Sequence, residues 1–447
     1  MLRRTLWAIG GIIFALAAVV GAVFLGDPFG LFERFRLKPD SVIVERQPDV
    51  LYEQLFPYYV ELCTVSQVRR LDGSRGNPFG HAAMYLKGAC KDETAPFPQL
   101  RRCRHVATDL DDPEHGAGVS VGRWFRNINW VAVPGHELFY NGNLKNGERL
   151  DQTRFDAAVQ AAIDKDVFHG VEFHGGWTRN PNASLRDYIA DQSITTDFAL
   201  QFARNVFCAR VPVTEPVLDE VIAFLNDKNR EYATGKADYN WNLFTDNCVH
   251  TVRNALAAVN AWEPISVRQL KILSLLNLAV PAHEFVNLGV LGSEGPLDDY
   301  REIFDEAPSR DSLNDFNWLP TRHGALVKAL PVHAPNDIYS TDFALFTVQS
   351  PFRMTKTGHV VELLSDKRTV DLEENLRAFV DRYDSLLARD REELEGLATV
   401  RGDPFRRFGR VYYDYIQQQR DDAADKLARL IALKRTPSPQ ASDGHGN

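Results

Sequence analysis

The chain has 447 residues, 44% hydrophobic and 25% charged, with a formal net charge of -9. This composition excludes a wholly disordered or fibrous protein. The acidic balance also lacks the basic field that duplex binding needs, so no nucleic-acid partner is expected.

In chain order, the first element is Leu6–Leu25, a run without a charged residue. About 20 apolar residues suffice to cross a bilayer core as a helix. Arg3 and Arg4 precede the run, and the positive-inside tendency keeps that short end in the cytoplasm. Residues 1–27 therefore read as a signal anchor with a single span, which leaves the bulk of the chain outside the membrane. A cleaved signal peptide ending near Val20-Gly21-Ala22 is the alternative, and it exports the folded part equally. Residues 28–57 read as a juxtamembrane linker. Its Phe29, Leu31, Phe32 and Phe35, set among Arg34 and Arg36, fit either a lipid-surface contact or a plain tether.

Residues 58–68 alternate apolar and polar, which predicts a strand. Turn signals follow, then a second strand over His81–Lys87. Residues 88–118 look polar and irregular. Residues 119–133 are strand-rich, 155–163 helical, 171–177 a short apolar segment bounded by glycine, and 198–213 strand-like. Thr214 is placed to cap a helix from about Pro216 to Leu225. Beyond Cys248 a helix carries Val249, Val252, Ala255, Leu256 and Val259 as its apolar set. Strands and helices do not alternate regularly, so the class is α+β. Residues 58–265 form the expected catalytic domain. Residues 266–435 read as a mostly α-helical extension: residues 270–290, then an amphipathic stripe of Leu372, Leu376, Phe379, Tyr383 and Leu386, a break at Gly402-Asp403-Pro404, and a last helix over about 408–433. Packing or a protein partner, rather than chemistry, is the role expected of that helical hairpin. Residues 436–447 have the composition of a disordered tail.

Export changes how the five cysteines read. Thiols pair in an oxidising compartment, and an odd count leaves one over. Cys90 and Cys103 enclose a short loop and are candidates for a bridge. Cys63 and Cys208, in strand-like runs, are open between buried thiols and a second bridge.

Several catalytic motifs are missing. The chain has no P-loop and no C-x-x-C. Tyr140 and Asn287 occupy the positions where His136-Glu137 and His283-Glu284 would need a second histidine to hold zinc. What remains is His81 at the start of a strand and Cys248 at the start of a helix. Oriented N–H groups at a helix N-terminus favour a thiolate and an oxyanion. A histidine from another element can take the thiol proton. His250 faces away from Cys248 on the same helix and is not the expected base. Asp246 and Asn247 read as caps of that helix, with Arg253 as a partner for either. A zinc site built from His81, His174 and Cys248 is a minor alternative. Arg101, Arg102, Arg104 and His105 form a basic cluster that fits lipid head groups or, more simply, a solvated loop.

Three blocks occur in order: Asn77-Pro-Phe-Gly-His-Ala-Ala-Met-Tyr85, Ala203-Arg-Asn-Val-Phe-Cys-Ala-Arg-Val-Pro-Val213, and Tyr239-Asn-Trp-Asn-Leu-Phe-Thr-Asp-Asn-Cys-Val-His-Thr-Val-Arg-Asn-Ala-Leu256. Over residues 60–260 this series resembles the bacterial extracytoplasmic domain typified by lyso-form lipoprotein intramolecular transacylases. The resemblance implies a circularly permuted papain-like fold in which the histidine precedes the cysteine. It implies acyl transfer through a thioester, with Cys248 as nucleophile, His81 as base and then acid, and no cofactor. A further polar residue is expected to orient the imidazole. Asn127, Asn129, His136 and His174 are the candidates, with His174 preferred because Gly175 and Gly176 allow close approach. The implied place is the bacterial inner membrane with the domain in the periplasm, and the implied substrate a membrane lipid, a lipoprotein or another envelope ester or amide. A peptidoglycan peptide amidase and a non-catalytic envelope scaffold are the alternatives.

Overall fold

The computed structural model describes residues 50–65, 68, 70–71, 80–242, 246–265, 281–341, 356–389, 397 and 399–435. The anchor at 6–25, most of the linker, residues 266–280 of the helical extension and the tail at 436–447 lie outside the described residues. Among the described residues no helix is long and apolar enough to cross a membrane.

The fold is α+β, as the sequence predicts. Helix α1 (Val50–Leu55) leads into β1 (Tyr59–Val65), β2 (His81–Lys87), β3 (Ala89–Lys91), β4 (Leu100–Arg102), β5 (Gly116–Val121) and β6 (Trp130–Pro134). Helices α2 (His136–Asn141) and α3 (Gln152–Asp164) follow, then β7 (Val206–Pro212), α4 (Glu215–Ala233) and α5 (Cys248–Ala257). The last third contributes α6 (Pro281–Glu294), β8 (Leu326–Leu330), α7 (Leu372–Leu387) and α8 (Asp403–Arg435), with shorter helices between them. A six-stranded antiparallel sheet in the order β6-β5-β2-β1-β7-β8 organises the molecule. Every residue of β1, β2 and β7 is buried, so helices and loops cover both faces of the sheet centre.

Several expectations shift. The strand expected over 119–133 is two strands, because Gly122 to Asn129 leaves the sheet and returns as β6. The irregular stretch 88–118 contains the β3–β4 hairpin, closed by a Cys90–Cys103 disulfide. The linker does not reach residue 57: Tyr52, Leu55 and Phe56 belong to the main core. Nor does the core end at residue 265. Strand β8 pairs with β7, while Phe285 of α6, Leu364 and Leu376 join the same core as β1. A pattern of thinning strand signals cannot show that one late strand completes an earlier sheet. Helix α4 runs well past Leu225, and the Thr214 hydroxyl makes no capping hydrogen bond to it. The hairpin of α7 and α8 is present. Its stripe of Phe379, Tyr383 and Leu386 meets Phe408, Tyr412 and Ile416 in a second, smaller core.

Register sets which side chains share a face, because directly paired residues project to the same side. His81 pairs with Val65, Tyr85 with Glu61 and Lys87 with Tyr59. Cys63 pairs with Cys208, Glu61 with Arg210, Cys208 with Lys328, and Ala83 with Ser120. One face of the sheet therefore carries His81 and Ser120 at one end and Glu61, Lys87, Arg210 and Lys328 at the other. The Cys63–Cys208 disulfide lies between them.

Candidate active site

The site forms where β2 begins. Gly80 is required there, since a Cβ would stand 2.8 Å from the Val65 carbonyl oxygen. Glycine lets the chain close onto the end of β1, and His81 enters the sheet in a fixed register. Helix α5 brings Cys248 to the same place. Its cap is Asn247, whose Oδ1 accepts from the N–H of Val249 at 2.9 Å and of His250 at 3.4 Å. Cys248 is thus the first helical residue, packed with α5 against β2 and β5. Its sulfur accepts the backbone N–H of Ala82 at 3.4 Å. The thiol therefore lies beside the peptide bond joining His81 to Ala82. Cys248 is the one free cysteine among the described residues.

On its other side the imidazole meets a relay that the sequence did not reveal. His81 Nε2 is 2.9 Å from Ser120 Oγ on β5. Ser120 donates its hydroxyl to Asp197 Oδ1 at 2.7 Å. A serine hydroxyl has one proton. With that proton on Asp197, Ser120 must accept from Nε2–H, and the neutral His81 ring keeps an unprotonated Nδ1 as its basic atom. Arg204, 1% exposed, completes the group and donates to Thr196 Oγ1 at 3.3 Å.

Burial dominates the electrostatics. It pushes the Cys248 thiol up to about 11, although the N–H groups of Ala82, Val249 and Cys248 and the charge of Arg204 all pull it down. Desolvation disfavours a lone thiolate more than the helix terminus favours it. Burial, and then Arg204, lowers His81 to about 3. The resting pair is therefore a neutral thiol and a neutral imidazole, which corrects the expectation of a thiol acidified by its helix. Burial raises Asp197 to about 6, against the Ser120 hydrogen bond and the Arg204 charge. Arg204 falls to about 10 through burial and stays cationic at neutral pH. Among the described residues no hydrogen bond joins His81 to Cys248.

Comparison with known proteins gives no match. No family model, curated protein or solved structure is significantly similar to the chain.

The remaining expectations resolve by position. His174 is half-buried at the start of a short 3-10 turn, where its backbone N–H donates to the Trp124 carbonyl at 2.8 Å. Among the described residues His81 has its ring hydrogen bond with Ser120, so the orienting position expected for His174 is held by a strand serine. Asn127 bonds Gly170 and Glu172, Asn129 bonds Thr251, and His136 lies against Glu137 and Tyr140. His250 turns back onto Asn247, away from chemistry. Arg253 pairs with Glu284 at 2.9 Å rather than with a cap. Three members of the basic cluster meet carboxylates: Arg101 pairs with Glu114, Arg102 with Glu215 and Asp219, and His105 with Asp112. The groups that could gather a metal ion among the described residues are Glu61-Cys63-Cys208 and Cys90-Cys103-Glu114, and their cysteines are oxidised to disulfides. His81, His174 and Cys248 form no such group.

Ser120, Asp197 and Arg204 were all missed. Ser120 was legible in principle: Gly118-Val119-Ser120-Val121-Gly122 spells G-x-S-x-G, although the serine lies inside β5 rather than at a strand-to-helix turn, on the phase of Gly116 and Gly118 and opposite the apolar positions. Asp197 sits in a loop with no periodicity to read. Arg204 stood in view as a charge at the edge of an apolar run.

Proposed function

We propose that the chain is a thiol enzyme of papain-like design that transfers or hydrolyses acyl groups through a Cys248 thioester. The observation that carries the reading is the assembly of a free helix-N-terminal thiol, held by the Ala82 amide, beside a histidine whose tautomer is set by Ser120 and Asp197. Ordinary packing gives no reason to gather a nucleophile, a base and a buried carboxylate relay at one sheet end.

In this mechanism His81 Nδ1 takes the thiol proton as Cys248 Sγ attacks an ester or amide carbonyl, and a C–S bond forms. The backbone N–H of Cys248 and the cationic Arg204 stabilise the oxyanion. His81 then protonates the leaving alcohol or amine as the C–O or C–N bond breaks. Water or an acceptor nucleophile, deprotonated by the same histidine, releases the acyl group and restores the thiol. Because the resting pair is neutral, proton transfer accompanies attack rather than preceding it. Asp197 supports the imidazolium through Ser120 without taking its proton.

The anchor read at residues 6–25 would hold this domain at the outer surface of a bacterial inner membrane, where lipids and lipoproteins offer acyl esters at high effective concentration. That supports a lipid or lipoprotein substrate over a peptidoglycan peptide. The scaffold reading accommodates Cys248 either as a buried thiol or in a disulfide; the sulfur is free and buried, so the scaffold stays as the alternative that the following test decides.

The test is acylation by activated esters of different chain length, followed by intact-mass and peptide mapping of the purified protein. An acyl group on Cys248 that fails to form in His81→Ala is the expected outcome. If Cys248 stays unmodified in the folded protein and reacts only after unfolding, the enzyme reading falls and the scaffold replaces it.

A further inference from the structure

The three elements that supply Ser120, Asp197 and Cys248 also extend into a second cluster, outside the dyad. Beyond Ser120, β5 ends and the chain turns at Gly122 to Arg123 and Trp124. The indole N–H of Trp124 donates to Gln192 Oε1 at 2.9 Å, on the segment that leads to Asp197. Upstream of Cys248, Asn242 and Asp246 exchange backbone hydrogen bonds of 2.8 and 3.1 Å, which hold Trp241 near the start of α5. The Arg123 guanidinium carbon stands 4.8 Å from the Trp124 ring centre and 5.3 Å from that of Trp241. Arg123 is exposed, while both indoles are half-buried. Among the described residues no carboxylate pairs with Arg123, whereas its neighbour Arg126 pairs with Glu172.

A guanidinium stacked on aromatic rings keeps its edge N–H donors free, and that edge matches the two oxygens of a carboxylate or phosphate. We propose that Arg123, held against Trp124 and Trp241 where β5 ends and the chain enters α5, is an oxyanion-binding subsite, and that it selects acyl substrates carrying a carboxylate or phosphate. The link to acyl substrates rests on the thiol-enzyme reading above. The subsite itself rests on the Arg123 geometry.

Two measurements separate them. In the first, full-length Cys248→Ala protein is titrated with glutarate and, separately, with glycerol phosphate, and indole fluorescence is followed. A saturable change abolished by Arg123→Met, but retained in Arg126→Met, is expected. Response to one anion and not the other identifies carboxylate or phosphate as the preferred group. No Arg123-dependent change with either overturns the subsite. In the second, the native chain is offered p-nitrophenyl glutarate and its neutral analogue p-nitrophenyl pentanoate, with Cys248→Ala turnover subtracted. The ratio of kcat/KM should favour the charged ester by about ten-fold and fall to about one in Arg123→Met. A ratio near one in the native protein overturns the selectivity. If neither ester turns over above the Cys248→Ala background, the thiol-enzyme reading fails, and the titration alone still decides the subsite.

Discussion

The two ends of one sheet face bury polar groups in opposite ways. At the far end Glu53 pairs with Lys87 at 2.5 Å and bonds His115 at 2.9 Å, while Glu61 pairs with Arg210, with Lys328 at 3.0 Å and with the Tyr140 hydroxyl. Each carboxylate there meets a cation, and the His115 hydrogen bond and the Lys87 charge bring Glu53 down to about 2 against its burial. At the near end, burial holds the thiol and the imidazole neutral and lifts Asp197. Depth is the same and the outcome differs: opposite charges at the far end keep Glu53 ionised, whereas burial at the near end favours the neutral forms. Paired charges of the first kind hold the fold together, while groups kept neutral by burial are the arrangement that the proposed thiol chemistry would use.

The sharpest break of that comparison is Cys248→Ala. If the near end is a reaction site, acyl transfer should fall by at least about 10⁴-fold, while denaturant unfolding shifts by only about 1 kcal/mol. The matching change at the far end is Glu61→Leu, which takes the nearest carboxylate from two buried cations. It should cost about 3–5 kcal/mol of stability by urea unfolding. The rate per folded molecule should stay close to that of the native protein. Loss of activity without loss of stability at Glu61 would show that the network belongs to the site.

Asp197→Asn tests the relay. In the native protein the carboxylate ionises near pH 6, so the acylation rate should rise with pH through that point. The variant should react about 10²-fold more slowly at pH 7.5, and that limb should vanish from its profile. Stability should move the other way. The folded pKa lies above the unfolded value of about 3.9. Between the two the unfolded chain has already released a proton that the folded chain retains. Native stability therefore falls as pH rises through that window, and the asparagine variant escapes the loss.

How much of this was legible depended on the range of the signal. His81 and Cys248 stood out because turn residues and apolar periodicity placed them at element starts, and those are local features. The short loop between Cys90 and Cys103 made them candidates for the bridge that the structure contains. The pairing of Cys63 with Cys208 needed the β1–β7 register, and the sixth strand needed a partner far back in the chain. Ser120, Asp197 and Arg204 come from three segments with no common motif, so only the closed sheet brings them to His81. The lowered thiol pKa was misjudged for a related reason: helix position is visible in a sequence, but the depth at which the sulfur is buried is not.

The smallest effect belongs to the basic cluster of Arg101, Arg102, Arg104 and His105, read from sequence as a surface for lipid head groups or a solvated loop. Arg101 and Arg102 belong to β4 rather than to a loop, and Arg102 illustrates why its charge is not set out for lipid. Its guanidinium reaches Glu215 at 2.6 Å and Asp219 at 3.1 Å on α4, and it lies 4.7 Å from the centre of the Tyr58 ring. Both carboxylates are more than half exposed, so solvent screens the pairs. Exposed ion pairs of this kind contribute about 0–1 kcal/mol, and less as salt is added. Arg102→Ala should therefore lower stability by no more than about 1 kcal/mol in low salt, with the difference shrinking at high ionic strength. Co-sedimentation of the folded domain with anionic vesicles should not change, since the charge removed was already neutralised by α4. A clear drop in vesicle binding would show that lipid displaces Glu215 and Asp219 from Arg102, and would return this edge of the molecule to the membrane.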